Sequence, residues 1–387
     1  MGGRRRDVGG GAADPRSGGG ERRWPAGRRL RPRERAAGDR GRAPLRLDRQ
    51  VGGGLPAPDR ALSRAGGGLP AAPGRAPAGG SPGAVLALAG GAQGVRAGAR
   101  GARGDEEGAV REGITIVVPI YNAFEVTLAC LDSVVRHTAG AYRLLLLDDA
   151  SSDPRMWPAL CRAAAEHPQV EALRNPRNLG YTATINRGCE LAGGDDVVLL
   201  NSDAEVSPGW LDKLRATAAS RLRVATVTPL SNAAGAFSVP RRHRVNPLPP
   251  GMSVEEMARL VEACSERLYP EVPTGNGFCL LVRRRALDEV GLFDAAAFPR
   301  GVGEENDFCM RARARGFVHL IDDATFVFHH RSASLTWRKR WLLLRARWYL
   351  RRRYPSYERL VAAWLADDPV DGLRRRLLRE LERRAAP

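Results

Sequence analysis

Four groups of residues could do chemistry. Gly303-Glu304-Glu305-Asn306-Asp307 crowds three carboxylates into five positions. A carboxylate is ionised at neutral pH, and one within hydrogen-bond reach of a hydroxyl could take its proton as a general base. The same acids would also suit the first turn of a helix, where the macrodipole favours negative charge, with Gly316 as its stop. Asn201-Ser202-Asp203-Ala204-Glu205 follows the apolar run Val197-Val198-Leu199-Leu200. Asp203 there could hold a divalent cation on a diphosphate, because a hard cation keeps several waters and needs only one or two protein carboxylates. Asp203 and Glu205 could equally decorate a loop. Asp148, Asp149, Ser151, Ser152 and Asp153 could hydrogen-bond a base or ribose hydroxyls, or cap a helix opening near Pro154. His329-His330 ends the apolar Phe326-Val327-Phe328. Adjacent residues of a strand face opposite ways, so at most one imidazole could complete a coordination begun by Asp203.

These residues need a scaffold. Ile114 to Pro119, Leu144 to Leu147, Val170 to Leu173 and Asp196 to Leu200 read as short buried strands. Phe124 to His137, Pro158 to Glu166 and Tyr181 to Leu191 read as the helices between them. Alternation of this kind predicts βαβ units and a parallel sheet, with ligands at the carboxyl ends of the strands. Both polar clusters, 148–153 and 201–205, fall there. Pro208 opens a further helix with Ser207 as its cap. Phe278 to Val282 and Phe326 to His330 read as strands, and Glu305 to Arg315 as a helix.

The charge of +18 over 387 residues suggests nucleic acid until its distribution is read. Residues 1–112 carry +11, residues 335–387 carry +9, and the middle 113–334 carries −2. Only Lys213 and Lys339 are lysines, so the arginine richness looks compositional. Residues 1–110 are rich in Gly, Arg and Pro, and are expected to be disordered or translated from a misassigned start. Trp24 is the lone aromatic there, too little for stacking on bases. The expected organisation is thus a low-complexity segment over 1–110, a catalytic α/β domain over 113–334 and a basic helical extension over 335–387.

Six scattered Cys without a CxxC pair suggest reduced, buried thiols. No apolar run approaches the ~20 residues of a membrane span, and the N-terminus lacks a signal-peptide apolar region. The expectation is a cytoplasmic protein, with peripheral contact to the inner face of the plasma membrane. That contact would come from 337–353, where Trp337, Trp341, Leu344 and Trp348 form one stripe among Arg. The competing expectation packs the stripe on the catalytic domain or a second subunit. No Walker loop is present, and no Gly-x-Gly-x-x-Gly follows the first strand, which argues against a P-loop NTPase and a simple NAD enzyme.

In this order the motifs resemble family 2 of the glycosyltransferases, particularly bacterial rhamnosyltransferase-like members. The resemblance runs through Ile116 to Asn122, Leu147 to Asp153, Asn175 to Gly188, Leu200 to Asp203, Thr274 to Phe278, 303–311 and Phe328 to Ser334, about 220 residues in all. It implies a GT-A fold: Rossmann-like α/β, with a mostly parallel central sheet flanked by helices. It implies inverting transfer from a UDP-, dTDP- or GDP-linked sugar to a glycan or lipid-linked acceptor, in cell-envelope polysaccharide synthesis and without nucleic acid. Pro119, Tyr121, Asn122, Asp148, Asp149, Asn178, Gly180, Asn186, Asn201 and Ser202 would line the nucleotide-sugar site. Gly275 and Asn276 would meet the donor or acceptor sugar. Asp203, with His329 or His330, would bind Mg²⁺ or Mn²⁺. Glu305 matches the catalytic base, with Glu304 and Asp307 beside it. Two departures stand out: Asn201 replaces the first Asp of the family's Asp-x-Asp, and Glu304-Glu305 replaces its usual Glu-Asp. An inactive sugar-nucleotide- or glycan-binding module, motivated by Asn201, and a nucleic-acid-binding protein with basic tails are the alternatives.

Overall fold

The computed structural model describes residues 113–330 and 337–385. The expectations for 1–110, for Arg331 to Ser334 and for the side chain of Trp337 lie outside the described residues. The first half of the described chain runs β1 (Ile114–Ile120), α1 (Phe124–His137), β2 (Arg143–Asp148), α2 (Met156–Glu166), β3 (Val170–Arg174), α3 (Tyr181–Leu191), β4 (Asp196–Leu200) and the short β5 (Ala204–Glu205). Then come α4 (Trp210–Ala219), β6 (Val224–Leu230), α5 (Val254–Cys264), β7 (Cys279–Val282), α6 (Arg284–Val290), α7 (Glu304–Arg313), β8 (Val318–Phe326) and β9 (Phe328–His329). Three helices follow: α8 (Trp337–Arg353), α9 (Tyr357–Asp367) and α10 (Asp371–Ala385).

Seven strands form one sheet in the order β3-β2-β1-β4-β7-β6-β8. All pairings are parallel except those of β7, which runs antiparallel between β4 and β6. Both faces of this sheet are covered, which is why β1, β2 and β4 at its centre read as nearly continuous apolar runs. Ile116, Val118, Leu144, Leu146, Val198 and Leu200 share a core with Cys130 and Leu131 of α1, Leu160 of α2 and Leu214 of α4. Val117, Leu145, Leu147, Val197 and Leu199 face the other way, toward Ile185 of α3, Leu287 of α6 and Phe308 of α7. Helix α3 comes close to β1 because position 188 has no side chain: a Cβ there would lie 2.4 Å from Cγ1 of Val117. The strand order reverses between β1 and β4, and a crevice at such a switch point is where open α/β sheets bind ligands.

Several expectations are corrected. Helix α4 begins at Trp210 rather than Pro208, and its cap is Gly209 at φ 70°. Ser207 instead donates to the carbonyl of Phe326 at 2.9 Å. The strand expected over 326–330 is the end of β8 followed by β9, which pairs with β5 in a separate two-stranded ladder. Cys130, Cys189, Cys279 and Cys309 are buried as expected, but Cys161 is exposed.

The C-terminal helices complete the core of the preceding residues. Leu373 and Leu377 of α10 are buried with Met257 and Val261 of α5. Arg374 is only 4% exposed, and its Nε donates to the carbonyl of Ser238 at 3.0 Å. Among the described residues no helix is long and apolar enough to cross a membrane.

Candidate active site

At the carboxyl ends of β1 and β2 the polar residues are tied to one another. Asn122 turns the chain at φ 58°. Its Oδ1 accepts from the backbone N–H groups of Ser152 at 2.9 Å and Asp153 at 3.1 Å. Asp149 is buried. Its Oδ1 accepts from Asn175 Nδ2 at 2.8 Å and from the Leu179 amide at 2.7 Å, and its Oδ2 from the Gly180 amide at 2.9 Å. One carboxylate thus folds the 175–180 loop against the sheet. Asp148, also buried, accepts from the Ser151 amide at 2.9 Å and meets Arg174 Nε at 3.2 Å. Pro119 is inside the sheet, and Tyr121 just beyond it leaves 53% of its surface open to solvent. Asn178 donates to the Asp149 carbonyl at 3.3 Å and accepts from Arg300 at 3.2 Å. Asn186 lies in α3, and its amide is spent in both directions on the backbone of Phe293, at 2.8 and 3.0 Å.

The β5–β9 ladder brings the next group together. It pairs Ala204 with His329, and the His330 amide donates to the Asp203 carbonyl at 2.8 Å. The two histidines then diverge, as alternation along a strand requires. His330 Nε2 meets Glu205, whereas His329 Nε2 lies 3.2 Å from Oδ1 of Asp203. His329 Nδ1 donates to the Ala233 carbonyl at 3.1 Å, and the ring stacks on Phe278 with centroids 5.4 Å apart. Asn232 grips the His329 backbone from both sides, accepting its N–H at 2.7 Å and donating to its carbonyl at 3.2 Å. Burial opposes ionisation of Asp203, but the hydrogen bond and charge of His329 outweigh it, so the carboxyl is held below its ordinary range.

The acidic segment opens α7, behind a left-handed Gly303 at φ 96°. Its three acids have different surroundings. Asp307 is fully buried, with Arg311 Nε at 2.8 Å on one oxygen, and Arg353 at 2.9 Å and the Tyr354 hydroxyl at 2.8 Å on the other. Glu304 is 2% exposed, and its Oε2 has no hydrogen-bond partner. Burial, then the neighbouring Glu305 charge, pushes its carboxyl well above the usual range. Glu305 is half-buried and accepts from Asn306 Nδ2 at 3.0 Å. Burial raises its carboxyl too, partly offset by the backbone amides of Glu305 and Gly303 and the side chains of Glu304 and Asn306.

Tyr181 joins the two groups. Its hydroxyl is 3.2 Å from Oδ1 of Asn201 and 3.2 Å from the Gly277 carbonyl. Burial and then the charges of Glu304, Glu305 and Asp203 hold the phenol well above its usual range. A Cβ at Gly277 would lie 3.8 Å from both this hydroxyl and Oε1 of Glu304. Gly301 leaves room for that ring: a Cβ there would lie 2.9 Å from it. Ser202 is in the turn between Asn201 and Asp203. Gly275 packs on Leu280 and Thr228, and the Asn276 side chain is engaged by Ala234 and Phe278. Tyr181, Asn232 and Asn306 were absent from the sequence-derived site. Each acts through partners 20 to 97 residues away or through a neighbour's side chain. Tyr181 and Asn306 fall within the stretches 175–188 and 303–311 that carry the resemblance, whereas Asn232 falls outside all of them.

Residues 115–291 match the sequence model described as Glycosyl transferase family 2. Over those residues the chain carries a glycosyl transferase family 2 domain. Over 267 residues it is 24% identical to an uncharacterized protein of Sinorhizobium fredii, covering 63% of this chain and 28% of that one. Over 212 residues it is 29% identical to an N-acetylglucosaminyl-diphospho-decaprenol L-rhamnosyltransferase of Mycobacterium tuberculosis, covering 49% of this chain and 67% of that one. A solved mannosyltransferase of Pyrobaculum calidifontis, in complex with GDP-Man and Mn²⁺, is similar at 16% identity and a TM-score of 0.44, over 68% of this chain and 84% of that one. The chain therefore spans little more than a quarter of the Sinorhizobium relative and about two thirds of the mycobacterial one. The mostly parallel sheet flanked by helices is the GT-A architecture expected of family 2.

A glycosyl transferase family 2 domain raises the question of a divalent cation. Among the described residues, no group of three or more His, Cys, Asp or Glu is placed to hold one. The Asp203–His329 pair nevertheless fits. Ala233 supplies a carbonyl, which can only accept, so the neutral imidazole carries its proton on Nδ1 and turns the Nε2 lone pair toward Asp203. Two acceptors facing each other at 3.2 Å need a proton or a cation between them. A hard cation could take its remaining ligands from a diphosphate and water. Asn201, whose Oδ1 already receives Tyr181, leaves Asp203 as the carboxylate of this loop.

Proposed function

We propose that this chain is an inverting glycosyltransferase that moves a sugar from a nucleoside-diphosphate donor to an acceptor hydroxyl, in cell-surface glycan synthesis. The observation that carries the reading is Tyr181, whose hydroxyl meets Asn201, two residues before Asp203, and the carbonyl of Gly277, where a Cβ would lie 3.8 Å from Oε1 of Glu304. A diphosphate site and a proton acceptor are needed on opposite sides of one anomeric carbon, and these contacts link the loop of Asp203 to the start of α7. Asp203 and His329 would hold Mg²⁺ or Mn²⁺, which supplies positive charge against the departing diphosphate. Tyr121, exposed at the end of β1, offers a stacking surface for the base. Glu305 accepts the acceptor's hydroxyl proton as the oxygen bonds to the anomeric carbon and the bond to the diphosphate oxygen breaks. Attack from the face opposite the leaving group inverts the configuration. Asp307 is spent on Arg311, Arg353 and Tyr354, and Glu304 is sealed from solvent, which favours Glu305 for this task. The mycobacterial relative's name favours a deoxyhexose donor and a lipid-diphosphate-linked acceptor.

The test is thermal unfolding of the full chain with UDP-, dTDP- and GDP-sugars, each with Mg²⁺ or Mn²⁺, followed by a transfer assay with the stabilising donor. A ligand that prefers the folded state raises the midpoint by mass action. One base should stand out, and its effect should need the metal. If no nucleotide sugar raises the midpoint, the reading fails. Asn201 at the family's first Asp position favours one other reading, a binding module without turnover. Stabilisation without transfer or donor hydrolysis would select it.

A further inference from the structure

Helix α8 has two unlike faces. Ala346 and Leu350, 6% and 4% exposed, pack on Phe298 together with Tyr349, Tyr354 and Tyr357. On the opposite side Trp341, Leu344 and Trp348 are 57%, 67% and 56% exposed. Their spacing, i, i+3 and i+7, aligns them on one stripe. The guanidinium groups of Arg345 and Arg352 lie 5.8 and 5.7 Å from the Trp341 and Trp348 ring centres. From Trp337 to Arg353 the helix has eight basic residues and no acidic one. Large apolar side chains left in water cost free energy, and this stripe is not covered by the rest of the described chain.

We propose that this face of α8 docks on an anionic lipid surface. Two features choose that occupant. Arg347 and Arg351 pair with Glu358, and Arg353 with Asp294 and Asp307, but among the described residues no acid pairs with Arg345 or Arg352 beside the stripe, so a second copy would set these cations against their own equivalents. Anionic headgroups complement that charge. Indoles also settle at the boundary between headgroups and acyl chains, while Arg side chains reach outward to the phosphates with their stems along the apolar layer. The inner face of α8 rests on Phe298 and Val302, just before the acidic start of α7. Docking therefore holds the Glu304–Glu305 region close to the lipid surface, where a lipid-linked acceptor presents its sugar. The docking stands on the helix alone, and its use for such an acceptor rests on the function proposed above.

Full-length protein is sedimented with vesicles of phosphatidylcholine, with and without phosphatidylglycerol. Binding is expected only to the anionic vesicles and should weaken as salt screens the charge. Replacing Trp341, Leu344 and Trp348 together by Ser should lower partitioning roughly a hundredfold. Arg345→Gln and Arg352→Gln should each lower it roughly fivefold. These side chains are exposed, so the thermal midpoint should not move. Ending the chain at 334 would be a poor substitute, since Leu373 and Leu377 fill the core. Equal binding by wild type and the Ser variant overturns the proposal, as does equal binding to neutral vesicles or no binding by either protein. Self-association that the Ser variant abolishes, without vesicle binding, assigns the face to a second copy and also overturns it. If docking holds, the Ser variant should lose transfer to vesicle-embedded acceptor while keeping transfer to a water-soluble one. Loss of both would separate the lipid role from an error in the catalytic reading, because vesicle binding is scored independently.

Discussion

Asn306 donates from Nδ2 to Oε1 of Glu305 at 3.0 Å. The other end of that amide is held by two donors, Thr274 Oγ1 at 2.8 Å and the Tyr357 hydroxyl at 3.0 Å. Tyr357 is the first residue of α9, so the C-terminal helices reach the proposed base through a single side chain. Burial and the Glu305 charge push the Tyr357 hydroxyl up to about 12, so it remains a donor through neutral pH.

Glu305→Gln should cut turnover by about 10²–10⁴, the usual yield of a positioned general base, with donor affinity unchanged. Tyr357→Phe leaves Thr274 as the only one of these two donors, and should lower kcat about fivefold without changing the donor KM. Steady-state kinetics at saturating metal reads both. Near-normal turnover in Glu305→Gln removes it from the base role.

The pH dependence has a definite sign. Glu304 and Glu305 both have carboxyls raised above the ordinary 4.5 by burial, so the folded chain keeps their protons longer than the unfolded chain does. Stability is then full below that ordinary value and is lost as pH rises through the raised ones. Glu304→Gln removes one of the two ionisations, so its thermal midpoint should fall less steeply over this window. Gln also keeps a donor toward Glu305, so turnover should persist. The acid limb of kcat/KM in the wild type should lie above 4.5; a limb at or below that value argues for another base.

His329 depends on Asn232 for its position. Asn232→Ala frees the His329 backbone without touching either ring nitrogen, and should weaken metal-dependent donor binding about 10–100-fold, the range seen when the outer partners of metal ligands are removed. His330→Ala should have little effect on that binding, because His330 pairs with Glu205. Titrating Mn²⁺ against thermal midpoint with saturating donor separates the two variants. Equal effects would show that the histidines are not distinguished in this way.

Asp307 makes the opposite prediction from Glu305. Asp307→Asn leaves Arg311 and Arg353 without their buried carboxylate and should cost about 3–5 kcal/mol of stability. At a temperature where the variant stays folded, kcat should remain within a few-fold of wild type. Urea unfolding and turnover, measured together, would expose a catalytic Asp307 as a large loss of kcat with little loss of stability.

Much of the first half of the fold was legible in the residues. Helices 124–137 and 181–191 and strand 196–200 lie where apolar spacing puts them, because a buried strand between two helical layers must be apolar on both faces. In the second half the strand read over Phe278 to Val282 is β7, but β8 was not legible ahead of Phe326. Strand β8 carries His319, Asp322, Asp323 and Thr325, all buried. His319 is satisfied by Thr226, 93 residues away, and by the Cys309 carbonyl; Asp322 is satisfied by Thr325 and the Ala324 amide. A polar strand can be buried only when such partners arrive, and sequence spacing does not announce them.

The site divides along the same line. By itself the sequence determined the chemical types available: carboxylates after an apolar strand, a carboxylate cluster at a helix start, two adjacent imidazoles, and a stripe of Trp among Arg. Strand alternation also required the two histidines to part. Only the tertiary structure decided which imidazole meets Asp203, which of three acids is tied to Arg311 and Arg353, and that the Tyr181 hydroxyl meets both Asn201 and Gly277. It also decided that Trp341 and Trp348 face outward. The reason is physical. A side chain's chemistry is carried by its own atoms, but its ionisation, reach and freedom are set by groups brought to it by folding, and for Asp203 and His329 those groups are 126 residues apart in the chain.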